Sequence, residues 1–381
     1  MKILRSIYPN FNNGQELAYS CLASCSTLGD HRLHVEAWFP ASKAAHNPSF
    51  VRNAYPRWAM PILYRLPDPN QRLRRGLERA FLHALKPGDI AYIWPGISLE
   101  CHQRIKDRGN IIVSQRTNCH RLYAKRVLDK EYARIGWKGS HGITDEDCQR
   151  ESEKLAHADF VYAMNPFVRL SLLESGVPEE KILTTTSAWD PLRMRAERRK
   201  SPRDEGLTVL FVGELSVRKG IHLLLEAWRC AGIKGRLLIA GRVPKEVAEQ
   251  LAGPLARPDV VQLNFQQEMD AVYRWADLFV CPSLEEGGPK VTFEAMGCGL
   301  PVLVSPMGAG PARDGVCGSV IDPHDIDGWA AALRRFAGEK ELRTQMGNAA
   351  RKRASEFTWQ KVNAQRRESL LNALSRSGPE G

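Results

Sequence analysis

At 381 residues the chain is too long for one ordinary domain and comfortable for two, each with its own core. A 43% apolar and 25% charged composition is that of a globular protein, and no apolar run approaches the roughly 20 residues that a membrane-spanning helix needs. The net charge of +11 fits either a solubility surface or an anionic ligand or membrane face; nucleic acid is not expected, because no basic tail or aromatic–basic motif accompanies the charge.

The opening MKILRSIYPNF reads as a buried strand rather than a secretion signal, so a cytoplasmic location is expected. Nine cysteines lack paired Cys-x-x-Cys spacing, and Cys21 and Cys25 have no second ligand pair; reduced thiols are expected, without a metal. Short β-branched runs then alternate with helical stretches. In the first half the predicted strands are Lys2–Ile7, His34–Phe39, Asp89–Trp94, Ile111–Arg116, Phe160–Met164 and Ile182–Thr186. In the second half they are Leu207–Gly213, Arg236–Gly241, Val260–Phe265, Leu278–Pro282, Pro301–Ser305 and Ser319–Asp322, with helices such as Ile221–Cys230 and Met269–Ala276 between them. Such alternation predicts parallel sheets covered on both faces.

The charged stretch Arg193–Glu205 (RMRAERRKSPRDE) separates the two series and reads as a linker. The expected organisation is a domain over 1–192, a linker over 193–205, a second domain over 206–355, and a helix over 356–381 packing back on the first domain. Ligands of doubly wound sheets bind beyond the carboxyl ends of the strands, so two facing edges would form a cleft.

The segment Cys281–Val302 (CPSLEEGGPKVTFEAMGCGLPV) carries the chemistry. A buried strand ends near Pro282, and a loop follows. Pro289 stands where a first helical residue would, with its fixed φ and no N–H to leave unpaired. Gly287 and Gly288 let the backbone approach a ligand. A helix N-terminus adds N–H groups and partial positive charge, together an anion site suited to a pyrophosphate. Glu286 precedes the helix and Glu294 lies on it, a rise of roughly 7.5 Å beyond Pro289. Two carboxylates so spaced suit the diols at the two ends of a nucleotide sugar. The alternative is a glycine-rich turn with two solvated glutamates.

This segment resembles the donor-binding signature of the retaining GT-B glycosyltransferases of family four, also called group 1. Leu210–Leu225 (LFVGELSVRKGIHLLL) resembles that family's first strand–loop–helix of the C-terminal domain, Ala158–Ile182 the end of its N-terminal domain, and Gly347–Trp359 its closing helix. Asp190 falls where the family often has an aspartate. The resemblance implies a GT-B fold of two Rossmann-like domains facing across a cleft. It implies that Glu286 binds hydroxyls of the transferred sugar, that Glu294 binds the ribose, and that Lys219 and Arg218 pair with the diphosphate. The backbone around Gly288, Lys290 and Val291 would hold the distal phosphate, and Gly213, Gly287 and Pro289 would belong to the same donor-binding set. Asn264 and Phe265 would lie beside the base, with a core role open for Phe265. Gly14, in Asn13-Gly14, resembles the family's glycine loop; the alternative is an ordinary turn. His120 is either the family's cleft histidine or a helix cap. The sequence departs from the family pattern at Glu214, where an arginine is usual, at Asn13-Gly14, where a double glycine is usual, and in the late position of His120.

The implied activity is retaining transfer from a nucleoside diphosphate sugar, UDP- or GDP-linked foremost, to a glycan, lipid-linked or small-molecule acceptor. No cofactor beyond the donor and no metal are expected, since no Asp-x-Asp motif is placed to hold one. A nucleotide-sugar epimerase or hydrolase, and a non-catalytic glycan- or nucleotide-binding protein, are the rivals. A dinucleotide oxidoreductase is disfavoured, because no Gly-x-Gly-x-x-Gly follows the first strand. The basic, apolar stretch Leu63–Lys86 reads either as an ordinary domain helix or as a surface helix resting on an anionic membrane. Oligomeric state is not legible.

Overall fold

The computed structural model describes residues 1–9, 16–41, 48–194, 206–263 and 269–376. It forms two compact units: Met1–Thr117, Asp145–Thr185 and Trp359–Gly381 make the first, and Asn118–Thr144 with Thr186–Thr358 make the second.

The first unit is built on seven strands: β1 (Lys2–Ile7), β2 (Leu33–Phe39), β3 (Val51–Asn53), β4 (Ile90–Ile93), β5 (Ile111–Gln115), β6 (Phe160–Ala163) and β7 (Ile182–Thr184). All pair in parallel, in the order β3-β2-β1-β4-β5-β6-β7. The interior strands β4 and β6 are buried along their whole length, as expected of a parallel sheet covered on both faces. The three-residue edge strand β3 is absent from the sequence reading. It is too short to show a period, and two backbone bonds hold it, Ala37 N–H to Phe50 O at 2.8 Å and Ala54 N–H to Phe39 O at 2.9 Å.

The helix Trp359–Arg376 belongs to this first unit. Its Leu370 and Leu374 join the core around Leu4, Tyr92 and Tyr162. Arg366 is buried on it, donating from Nε to Thr185 Oγ1 at 2.7 Å, while its carbonyl accepts from Tyr162 Oη at 2.7 Å.

The second unit carries β8 (Leu207–Val212), β9 (Gly235–Ala240), β10 (Val260–Leu263), β11 (Leu278–Cys281), β12 (Val302–Val304) and β13 (Gly318–Val320). They too are parallel, in the order β10-β9-β8-β11-β12-β13. Helices such as Ile221–Ala231 and Ile326–Gly338 bury their apolar faces against this sheet.

The unit boundaries differ from the linear division read in the sequence. The chain changes over at Thr185–Thr186 and Thr358–Trp359, and 118–144 belongs with the second unit although it lies within the first strand series. The reason is packing. The helix Arg121–Ile135 and the turn after it set Val127, Tyr132, Ile135 and Trp137 against the core that includes Val217, Trp228 and Trp329. Of the expected linker 193–205, residues 195–205 lie outside the described residues, as do Gly14, Asn264 and Phe265.

The stretch Leu63–Lys86 is not one helix. A left-handed Asp68 (φ 48°) and Pro69 break it, and the helix proper is Pro69–Ala84. Its apolar residues Leu73, Leu77, Phe81 and Leu82 are buried inside the unit. No described helix is long and apolar enough to cross a membrane.

Candidate functional site

In a doubly wound sheet the ligand position is set where the strand order reverses, because the loops leaving those two neighbouring strands turn to opposite faces. In the second unit the reversal falls between β8 and β11. The two loops there, 213–220 after β8 and 282–289 after β11, hold half of the predicted site residues.

The loops are stitched together. Leu284 N–H donates to Arg218 O at 2.9 Å. Gly220 has φ +68°, and a Cβ on it would stand 2.1 Å from Pro282 O, so only glycine permits this approach. Gly213 borders the Lys219 stem, whose Cε would lie 3.7 Å from a Cβ there. Within the tight turn Val217–Lys219, Val217 is buried while Arg218 and Lys219 are carried toward the second loop.

Four charged side chains then meet. The Lys219 ammonium contacts Glu286 Oε1, which also accepts from Ser283 Oγ at 3.3 Å. Arg218 Nη1 lies 3.7 Å from Glu286 Oε1 and 3.4 Å from Glu285 Oε2, and donates to the Glu285 carbonyl at 3.1 Å. Both carboxylates are buried, Glu285 at 1% exposure and Glu286 at 5%. Burying two like charges side by side is costly unless each is paired, and here each has a cation in reach. Burial pushes the Lys219 ammonium down to about 8, and the Arg218 charge beside it acts in the same direction.

The helix Lys290–Gly297 follows. Pro289 is its cap (φ −69°, ψ 76°) rather than its first residue, so the helix starts one position later than the sequence predicts. The expected row of open N–H groups is partly turned inward: Lys290 N–H donates to Gly288 O at 2.7 Å and Thr292 N–H to Pro289 O at 2.8 Å. Gly288 O also accepts from Ser187 Oγ at 3.3 Å. Gly287 lies in the loop before this helix, and Val291 is the helix's second residue. Glu294, further along the helix and buried, accepts from Tyr273 Oη at 2.9 Å. Thr292 Oγ1 donates to Gly308 O at 2.7 Å, fixing the helix start against the loop after β12.

His120 is fully buried and caps the helix Arg121–Ile135, its Nδ1 accepting from Leu122 N–H at 3.2 Å. The same turn reaches the site through a residue that the sequence reading passed over. Glu285 Oε1 accepts the Cys119 N–H at 2.9 Å, and its Oε2 accepts Asn118 Nδ2 at 3.3 Å. Cys119 Sγ adds a contact to Glu286 O at 3.6 Å. The signal available was the doubled acid Glu285-Glu286 in a loop otherwise short of polar side chains. What it pairs with lies 166 residues away and has no sequence signature. Glu214 pairs instead with Arg242, at 2.7 Å. Among the described residues no group of three or more His, Cys, Asp or Glu side chains is arranged to hold a metal, and none of the nine cysteines is in a disulfide.

The arrangement suits an anionic ligand that a lysine and an arginine can pair with and whose hydroxyls carboxylates can accept from. Residues 194–353 match the family model described as glycosyl transferases group 1. The D-inositol 3-phosphate glycosyltransferase of Salinispora arenicola is 30% identical over 236 residues, 56% of this chain and 51% of that protein. The chain thus spans about half the length of the curated relative it matches. Among solved structures, Anabaena HepE in complex with UDP and glucose superposes with a TM-score of 0.68 at 17% identity, covering 98% of this chain and 100% of that one. Sucrose-phosphate synthase from Thermosynechococcus elongatus gives 0.69 at 17% identity, covering 99% and 100%. Two parallel Rossmann-like sheets, a switch point flanked by Lys219 and Glu286, and these likenesses lead to one conclusion: the chain has the GT-B fold, and its residues 194–353 are similar to the glycosyl transferases group 1.

Proposed function

We propose that the chain transfers a sugar from a nucleoside diphosphate sugar to an acceptor, with retention at the anomeric carbon. The observation that carries this reading is the convergence of Lys219, Arg218 and Glu286 on the β8–β11 switch point, inside the segment that matches the family model. The relative named above is a glycosyltransferase, and one neighbour was solved with UDP and glucose. UDP- and GDP-sugars are therefore the donors to try first.

A departing diphosphate gathers negative charge as the glycosidic bond breaks, and cations held in place stabilise it most in a water-poor site. A bound diphosphate competes with Glu286 for Lys219, which releases the Glu286 carboxylate to accept from sugar hydroxyls. Arg218 stays anchored by the Glu285 carbonyl, ready to pair with the second phosphate. Glu294, braced by Tyr273, takes the ribose hydroxyls. His120 is assigned to the sugar side of the site. Same-face attack, with a phosphate oxygen taking the acceptor proton, gives retention and needs no metal. A carbohydrate or lipid-linked acceptor fits this chemistry.

The test is a thermal-shift screen of UDP-, GDP- and ADP-sugars, followed by transfer assays and NMR assignment of the product anomer. A donor that raises the melting point and yields product with the donor's anomeric configuration is expected. An inverted anomer refutes retention. Donor consumption at an unchanged rate without acceptor points to an epimerase or hydrolase.

A further inference from the structure

Between β3 and the helix Pro69–Ala84 the chain makes an excursion, 56–67, that contributes nothing to the core of its own unit. Its two short helical pieces, Arg57–Ala59 and Met60–Leu63, bury no residue. Its large apolar side chains point outward: Trp58 is 73% exposed, Ile62 57%, Tyr64 44% and Leu66 40%. These are four of the eleven large apolar residues exposed in the described protein, gathered within nine positions.

The excursion is ordered. Successive turns are closed by Ala59 N–H to Pro56 O at 3.0 Å, Tyr64 N–H to Met60 O at 3.0 Å and Arg65 N–H to Ile62 O at 3.0 Å. Trp58, Ile62 and Leu66 recur at four-residue spacing through this run, and each is exposed. Both ends are pinned to the following helix. Tyr55 Oη donates to Arg72 O at 3.1 Å and lies where a Cβ on Gly76 would stand, and Arg72 Nε donates to Pro67 O at 2.8 Å. An apolar ridge held outward by such ties has a cost in water, and contiguous exposed apolar surface of this kind marks an interaction site.

Charge selects the partner. Residues 56–67 contain no acid, and Arg57 and Arg65 are exposed beside the apolar side chains. The adjoining helix exposes Arg72, Arg75 and Arg79. A tryptophan and a tyrosine with aliphatic neighbours, rimmed by arginines, match a lipid interface with an anionic headgroup layer.

We propose that 56–67 seats this protein on an anionic membrane surface, with Trp58, Ile62 and Leu66 entering the headgroup–acyl boundary and Arg57, Arg65 and the arginines of Pro69–Ala84 pairing with lipid phosphates. The contact is made by this ridge, because the apolar face of the following helix is already used inside the unit. It stands apart from the transfer reading, since vesicle binding and sugar transfer are measured separately.

The experiment is co-sedimentation of the full chain with phosphatidylglycerol–phosphatidylcholine vesicles and with pure phosphatidylcholine vesicles. Wild type is expected to sediment with the anionic vesicles and to be released by high salt. The triple variant Trp58→Ser, Ile62→Ser, Leu66→Ser, and separately Arg57→Glu with Arg65→Glu, should each lose about tenfold or more in vesicle partition. Their melting temperature and nucleotide binding should be unchanged, and Leu170→Ser, at an exposed apolar position elsewhere in the unit, should partition like wild type. Wild type that ignores anionic vesicles, or a triple variant that partitions like wild type, overturns the proposal. So does a triple variant that changes only the oligomeric state, which would make the ridge a protein contact.

Discussion

The two sheets share one strand order and differ in what their switch points hold. In the first unit the loop after β4 opens on Trp94, buried against Tyr8 and Tyr92 at ring-centroid distances of 6.2 and 5.8 Å. In the second, the loops after β8 and β11 hold two cations and two buried carboxylates in mutual contact. Among the described residues, the same backbone frame thus carries buried aromatic rings at one switch point and a compensated charge cluster at the other. Topology fixes where a ligand can sit, and the loop side chains fix which ligand.

The sharpest way to break this contrast is to remove the charge from the second switch point. Lys219→Ala and Glu286→Ala should each lower kcat/KM by about 10²–10³-fold, as loss of one preorganised stabilising group does. Initial rates, with circular dichroism to confirm folding, decide it; near-normal turnover in either variant removes that residue from the mechanism. Gly220→Ala attacks the frame instead. A Cβ cannot coexist with Pro282 O, and φ +68° disfavours it further, so a loss of about 2 kcal/mol or more is expected from denaturant unfolding. An unchanged midpoint would show that the two loops can separate freely.

Glu285→Gln tests the tie between the 118–120 turn and the cluster. It keeps the shape but removes the charge that Arg218, the Cys119 N–H and Asn118 share. A rise of about tenfold in donor KM with a smaller change in kcat is expected, the scale of one weakened charged hydrogen bond. A change in melting temperature alone would make Glu285 a purely structural residue.

The mildest probe is pH. The folded Lys219 ammonium titrates near 8, below the ordinary lysine value of 10.5. Its charge is therefore present below about pH 8 and lost above it, so affinity for a nucleoside diphosphate should fall as pH rises from 8 to 10. Stability moves the other way. The native state gives up the proton more readily than the unfolded chain, so this group's contribution to stability rises between pH 8 and 10.5. Calorimetric titration with UDP or GDP across that range checks the first, and melting curves check the second. Affinity that stays flat to pH 10 would remove the Lys219 charge from diphosphate binding.

Much of this was legible in one dimension. Buried parallel strands are continuous apolar runs, so twelve of the thirteen strands show in the chain, and only the three-residue edge strand Val51–Asn53 has too little length to display a pattern. The motif around Glu286 is local, and its glycines, proline and acids could be read at their spacing. The turn at Pro289 was misplaced by one residue, because the helix start depends on hydrogen bonds from Lys290 and Thr292 that spacing does not specify.

Sequence by itself determined the parallel α/β architecture, the loop that follows β11 and the identity of its charged side chains, since each depends on residues close together in the chain. Tertiary structure alone decided that 118–144 packs with the second unit, that Glu285 holds the Cys119 turn, and that the apolar side of the Pro69–Ala84 helix is buried while 56–67 is exposed. Those outcomes rest on contacts between distant segments, and which partner an apolar face or a carboxylate finds is set by the packing of the whole chain, not by its neighbours in sequence.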